Sequence, residues 1–193
     1  LVVDESSLTT DKTVDLSNLF SVDFGADGAA ASNSKVFSLT LNTSSATNPD
    51  SGLVDTASGN KVLLSLESGT IVGRVANADD SFNAAGNVAF ELSIADASAG
   101  TVKLDQQRAL QHSNTSSNNE EVTLNSSLVS LQLTAKDQDG DTNSLSVDLG
   151  GATGPLSFLD DGPSVSASGT SRDGDLVVDE SSLTTDKTVD LSN

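Results

Sequence analysis

The chain has 193 residues, no cysteine, tryptophan or tyrosine, and 28 acidic against 9 basic residues, giving a formal net charge of −19. That length suits one sizeable β domain with a trailing segment better than two full domains. The charge repels phosphate backbones and anionic lipid surfaces, which argues against nucleic acid as a partner, and the missing cysteines exclude disulfides and thiolate zinc sites. Six phenylalanines are the only aromatic residues, so Val, Leu, Ile and Ala must fill most of the interior. No apolar run approaches the roughly 18–20 residues of a membrane-spanning helix. No basic, apolar leader precedes Leu1, so the segment is expected to carry no signal peptide of its own.

The opening segment Leu1 to Asn18, LVVDESSLTTDKTVDLSN, returns without a change at Leu176 to Asn193. A period as long as the step from Leu1 to Leu176 predicts self-contained tandem domains rather than the stacked layers of a solenoid, whose periods run about 20–50 residues. Further along, Val36 to Leu41, Lys61 to Leu66, Val88 to Ile94 and Leu128 to Ala135 alternate in hydropathy and predict strands. Clusters of Gly, Asn, Asp and Ser at Ala46 to Gly52 and Asn77 to Asn87 predict turns between them. Leu104 to Gln111 (LDQQRALQ) is the one helical candidate, of one or two turns. The pattern predicts an all-β, Ig-like β-sandwich with long loops and at most one short helix.

Lys136 to Asn143 (KDQDGDTN) precedes another alternating run, Leu145 to Leu149, whose Leu145, Val147 and Leu149 share one face, and so predicts a hairpin tip. Residues two apart on extended backbone point the same way, which would gather Asp137, Asp139 and Asp141, with Gly140 at the bend. Hard oxygen ligands at this spacing suit Ca2+, although Thr142 stands where an EF-hand needs glycine. The alternative is an Asp- and Gly-rich turn without metal. Phe158 to Ser164 (FLDDGPS) has linker composition, and Asp160 and Asp161 would face Asp173, Asp175, Asp179 and Glu180 across a junction between repeats. Either calcium clamps that joint or the carboxylates are simply solvated.

No enzyme is expected. None of the serines lies in a nucleophile-elbow setting, and paired carboxylates without Trp or Tyr lack the sugar-stacking cleft of a glycosidase. The lone His112 reads as a loop or helix-end residue hydrogen-bonded to backbone. Leu149 to Gly154 (LGGATG) reads as a turn, with no GK[ST] following it.

The segments VDESSL (Val3 to Leu8), FGADGA (Phe24 to Ala29), SGLVDTASGNKVLLSL (Ser51 to Leu66) and GTIVGR (Gly69 to Arg74) stand in order along the chain. GTVKLDQQRALQH (Gly100 to His112), LTAKDQDGDTNSLSVDLG and LSFLDDGPSV follow them. With these motifs the chain resembles the large repeat domains of type I secreted RTX adhesins, often called T1SS-143 or VCBS-like extender repeats. The resemblance implies a giant extracellular adhesin on a bacterial cell surface, whose repeats hold adhesive end-domains away from the cell and help build biofilm. It implies calcium at Asp137, Asp139, Asp141, Asp160 and Asp161, with Asp4 and Glu5 recurring as Asp179 and Glu180. Partners would be neighbouring identical repeats, with the tip ligand undefined. A glycan- or protein-binding adhesive module of the same kind of protein is the alternative. No GGxGxDxUx nonapeptide is present, a departure from the wider RTX pattern.

Gly162 and Pro163 punctuate the end of the last strand, so residues 1–162 are expected to form one repeat, and 163–193 a linker and the start of the next. Val165 and Ala167 would open that next repeat. Its copy of the N-terminal segment is expected to donate a strand to a vacant edge rather than dangle.

Overall fold

The computed structural model describes residues 1–166 together with Ser181 and Thr184. The fold of the unit Leu1–Gly162 is all-β and sandwich-like. Its strands among the described residues are β1 (Val2–Asp4), β2 (Lys12–Asp15), β3 (Lys35–Leu41), β4 (Asp50–Val54), β5 (Lys61–Glu67) and β6 (Thr70–Val75). They continue with β7 (Val88–Asp96), β8 (Thr101–Gln106), β9 (Glu121–Val122), β10 (Val129–Lys136), β11 (Thr142–Asp148) and β12 (Ser157–Leu159). One sheet has the order β2-β8-β7-β6-β5-β4, a second β11-β10-β3, and a third β1-β12-β9. Phe37, Leu64, Leu92, Leu131 and Phe158 belong to one hydrophobic cluster fed by all three sheets. That shared core is what makes the arrangement a sandwich.

The alternating runs form strands because period two places every second residue in this core. In β10 the odd-numbered Val129, Leu131 and Leu133 are buried while Ser130, Gln132 and Thr134 are partly open. β5 is buried on both faces over Val62–Ser65, as suits a strand inside a six-stranded sheet.

Two local expectations are corrected. The helical candidate Leu104 to Gln111 is instead the end of β8 followed by an irregular connection. Val102, Leu104 and Gln106 face inward, and pairing with β7 on one side and β2 on the other outweighs the helix propensity of Arg108, Ala109 and Leu110. The turn cluster Ala46 to Gly52 ends in strand, since β4 begins at Asp50. Gly52, at φ +84, supplies the left-handed kink of a register shift against β5, and the Asn125 side chain lies against it.

β1 runs parallel to β12, with Val2 opposite Ser157, Val3 opposite Phe158 and Asp4 opposite Leu159. β1 is the edge of its sheet. Val165 is exposed outside any strand. Ala167 and the second copy of the repeat, the expected strand donor, lie outside the described residues.

Candidate functional sites: two carboxylate clusters

The first cluster sits at the β10–β11 tip. The hairpin is antiparallel and closes with Ala135 opposite Asn143 and Lys136 opposite Thr142. Asp137 Oδ1 accepts hydrogen bonds from the backbone N–H groups of Gly140 (3.0 Å) and Asp141 (2.8 Å), which folds the tip around its carboxylate. Gly140, at φ +106, makes the turn. The tip is therefore not extended, and the expected same-side trio does not form. Asp137 and Asp139 come together, but the third carboxylate is Asp27, and one oxygen from each lies within 4.8 Å of the others. Asp141 stands outside this group. It holds the turn through its backbone, and its carbonyl accepts from Asp137 N–H at 3.1 Å.

Asp27 arrives from the loop that precedes β3, far upstream in sequence. An isolated bridge pairs Ala29 with Asp137, Ala30 N–H donates to Lys136 O (3.1 Å), and Gln138 N–H donates to Gly28 O (3.0 Å). The hydrogen bond shared with Asp139, aided by backbone N–H groups, holds the Asp137 carboxyl below its usual range. The same contact and the charge of Asp137 push Asp139 up. Ionising Asp139 is thus opposed by the charge of Asp137, and a cation among the three carboxylates would offset that repulsion.

The second cluster forms where the β1–β12 ladder stops. Asp4 and Leu159 are the last registered pair, so Glu5 and Asp160 follow side by side. His112 completes the group, with one ligand-capable atom from each residue within 4.8 Å of the others. His112 lies in a loop as expected, but the expected hydrogen bond to backbone is absent among the described residues. Its side chain is 3% exposed and neither ring nitrogen has a hydrogen-bond partner.

The remaining predicted positions do not join these groups. Asp4 caps the short 3-10 turn Glu5–Ser7 by accepting Ser6 N–H at 2.9 Å, and that backbone hydrogen bond lowers its carboxyl from the usual value. Asp161 is exposed and makes no hydrogen bond or ion pair among the described residues. Asp179 and Glu180, like Asp173 and Asp175, lie outside the described residues. Among the described residues no helix is long and apolar enough to cross a membrane.

An acidic β-sandwich domain with carboxylates gathered at a hairpin tip and at the end of its first and last strands is the class these observations define. More particularly, residues 1–150 match the family described as "Domain of unknown function (DUF5801)", and the chain belongs to that family. No curated protein and no solved structure matches it.

Proposed function

We propose that this domain is an extender of a large bacterial surface adhesin, a spacer repeated in tandem and stiffened by calcium, which projects adhesive domains for attachment and biofilm formation. One observation carries the reading: the first and last strands run parallel in a chain whose sequence starts over at Leu176. The chain thus leaves the unit Leu1–Gly162 along β12 in the direction in which it entered along β1, which supports onward repetition. Verbatim repetition also suits a part whose number sets reach. Extracellular placement and type I secretion belong to the same proposal and rest on the family resemblance. Small-angle scattering on chains of two, three and four repeats tests it. The longest dimension should grow linearly with repeat number in calcium, and clustering of repeats into a compact particle would sink the spacer reading.

The calcium part rests on the Asp27, Asp137 and Asp139 cluster, whose oxygens suit a hard cation. At free calcium ten times the dissociation constant, linkage stabilises by about 1.4 kcal/mol per site. For a domain of this size that raises the melting temperature by roughly 3–6 °C. Asp27→Asn or Asp137→Asn should abolish most of the rise. Equal melting temperatures in EDTA and in millimolar calcium would remove calcium from the proposal.

The glycan- or protein-binding alternative has one observation in its favour. Leu145 is 62% exposed, beside a shallow depression that it lines with Phe20, Val22 and Leu133.

A further inference from the structure

We propose that Glu5, His112 and Asp160 bind a divalent cation of the imidazole-accepting kind, such as zinc or manganese, at a site separate from the carboxylate-only hairpin tip. Three segments distant in sequence meet there. Glu5 opens the 3-10 turn after β1, Asp160 leaves β12, and His112 belongs to the connection beyond β8. That connection is pinned beside the site, since Gln111 N–H donates to Val54 O at 2.7 Å and Leu110 N–H donates to Glu5 Oε1 at 2.7 Å. Asp160 N–H donates to Glu120 O at 2.9 Å, which fixes the backbone of the third residue. The donors are therefore preorganised rather than carried on loose loops.

The second observation is an unmet need for partners. Among the described residues, the buried side-chain nitrogen and oxygen atoms lacking any hydrogen bond are His112 Nδ1, His112 Nε2 and Gln106 Oε1. All three belong to side chains that adjoin Glu5. Gln106 Nε2 donates to Glu5 Oε1 at 2.7 Å, and His112 Nε2 lies 3.5 Å from the same oxygen. The Glu5 side chain is 7% exposed and that of His112 is 3% exposed, so bulk solvent does not serve these atoms. Orphaned polar atoms are scarce in folded proteins because each costs its lost solvation, and three around one carboxylate indicate a missing binding partner.

The chemistry selects the partner. Two carboxylates and one imidazole offer two negative charges and a nitrogen donor, which a dication balances. Calcium takes oxygen ligands, whereas imidazole suits zinc and its transition-metal neighbours. Gln106 and Leu110, by bonding Glu5, orient its carboxylate as outer-shell groups do in metal sites. A bound ion would tie the ends of β1 and β12 to the connection that follows β8 and carries His112.

This inference stands apart from the spacer reading, since either can fail alone. The test uses the fact that His112 is the only histidine in the chain. With saturating calcium present throughout, zinc chloride is titrated into the whole chain carrying 15N-labelled histidine, and the single imidazole is followed by long-range proton–nitrogen correlation. One ring nitrogen is expected to shift with 1:1 saturation, and manganese to broaden the same signals. In calorimetry, His112→Gln and Asp160→Asn should each weaken zinc binding by at least about tenfold, their folding being checked by a circular dichroism spectrum and cooperative thermal unfolding like the parent's. Imidazole signals unmoved at millimolar zinc, as for a pocket that holds only water, overturn the proposal. So does zinc affinity unchanged in both variants, which would place the ion on surface carboxylates.

Discussion

Replacing Arg108 with methionine is expected to destabilise the domain by about 3–5 kcal/mol at neutral pH, the cost of leaving a buried charge without its partner. Asp55 is fully buried, and Arg108 holds it with two bonds, Nε to Oδ1 at 2.7 Å and an Nη to Oδ2 at 3.1 Å. Ser58 adds its N–H at 2.9 Å and its hydroxyl at 2.6 Å. Burial alone would push the Asp55 carboxyl up, but the bonds from Arg108 and Ser58 together outweigh it and hold the carboxyl below its ordinary value of 3.8. A depressed carboxyl contributes stability that is present above its unfolded value and is lost as pH falls through the folded one. Without Arg108 the burial effect dominates and Asp55 takes up a proton at higher pH. The gap between Arg108→Met and the parent, read by urea denaturation, should therefore narrow as pH falls through the ordinary carboxylate range. Adding Asp55→Asn to Arg108→Met should recover much of the loss. A loss of the same size at neutral pH and in acid would show that Arg108 acts through packing of its stem rather than through the pair. The pair also anchors the connection that carries His112, because Asp55 bridges Leu110 there.

The strands legible in the sequence are those whose side chains alone declare their faces. Lys35–Leu41, Lys61–Glu67, Val88–Asp96 and Val129–Lys136 alternate or run apolar long enough for burial to dominate. The short strands β1, β9 and β12 have too few residues to show a period, and partners elsewhere decide them. The stretch Leu104 to Gln111 reads as helix because Arg108, Ala109 and Leu110 are good helix formers, whereas pairing with β2 and β7 fixes its first residues, up to Gln106, as extended strand. At the hairpin tip, Asp137 and Asp139 are legible as a local pair. Asp27 is not, because only the Ala29–Asp137 bridge brings it there, although its Ala-Asp-Gly setting resembles the tip itself. His112 carries no local signal at all. It lies in a polar stretch without periodicity, and the pair of carboxylates beside it follows from the β1–β12 register that sets Glu5 next to Asp160.

Phe158→Ala is expected to cost about 3–5 kcal/mol, the range for removing a large buried aromatic, and to lower the melting temperature by roughly 6–20 °C. The ring is fully buried with its centroid 5.1 Å from that of Phe90, tilted by 54°. Phe90 cannot move in to fill the space without opening another gap, because its ring occupies the volume that a Cβ on Gly73 would need. The cavity should therefore persist, and a persistent cavity puts the loss toward the upper part of the range. Phe158 is also the middle of the small sheet, paired with Val3 on one side and Val122 on the other. Loosening it frees the strand through which the chain leaves the unit and the Asp160 that follows it. Amide hydrogen exchange should consequently accelerate at β1 and β12 far more than at the β3–β10 pair, whose ladder does not involve Phe158. Phe158→Leu, which refills part of the volume, should lose less than half as much. A loss below about 1 kcal/mol for Phe158→Ala, the ordinary size for a point substitution, together with uniform exchange, would show that β12 is not the keystone between the first strand and the core.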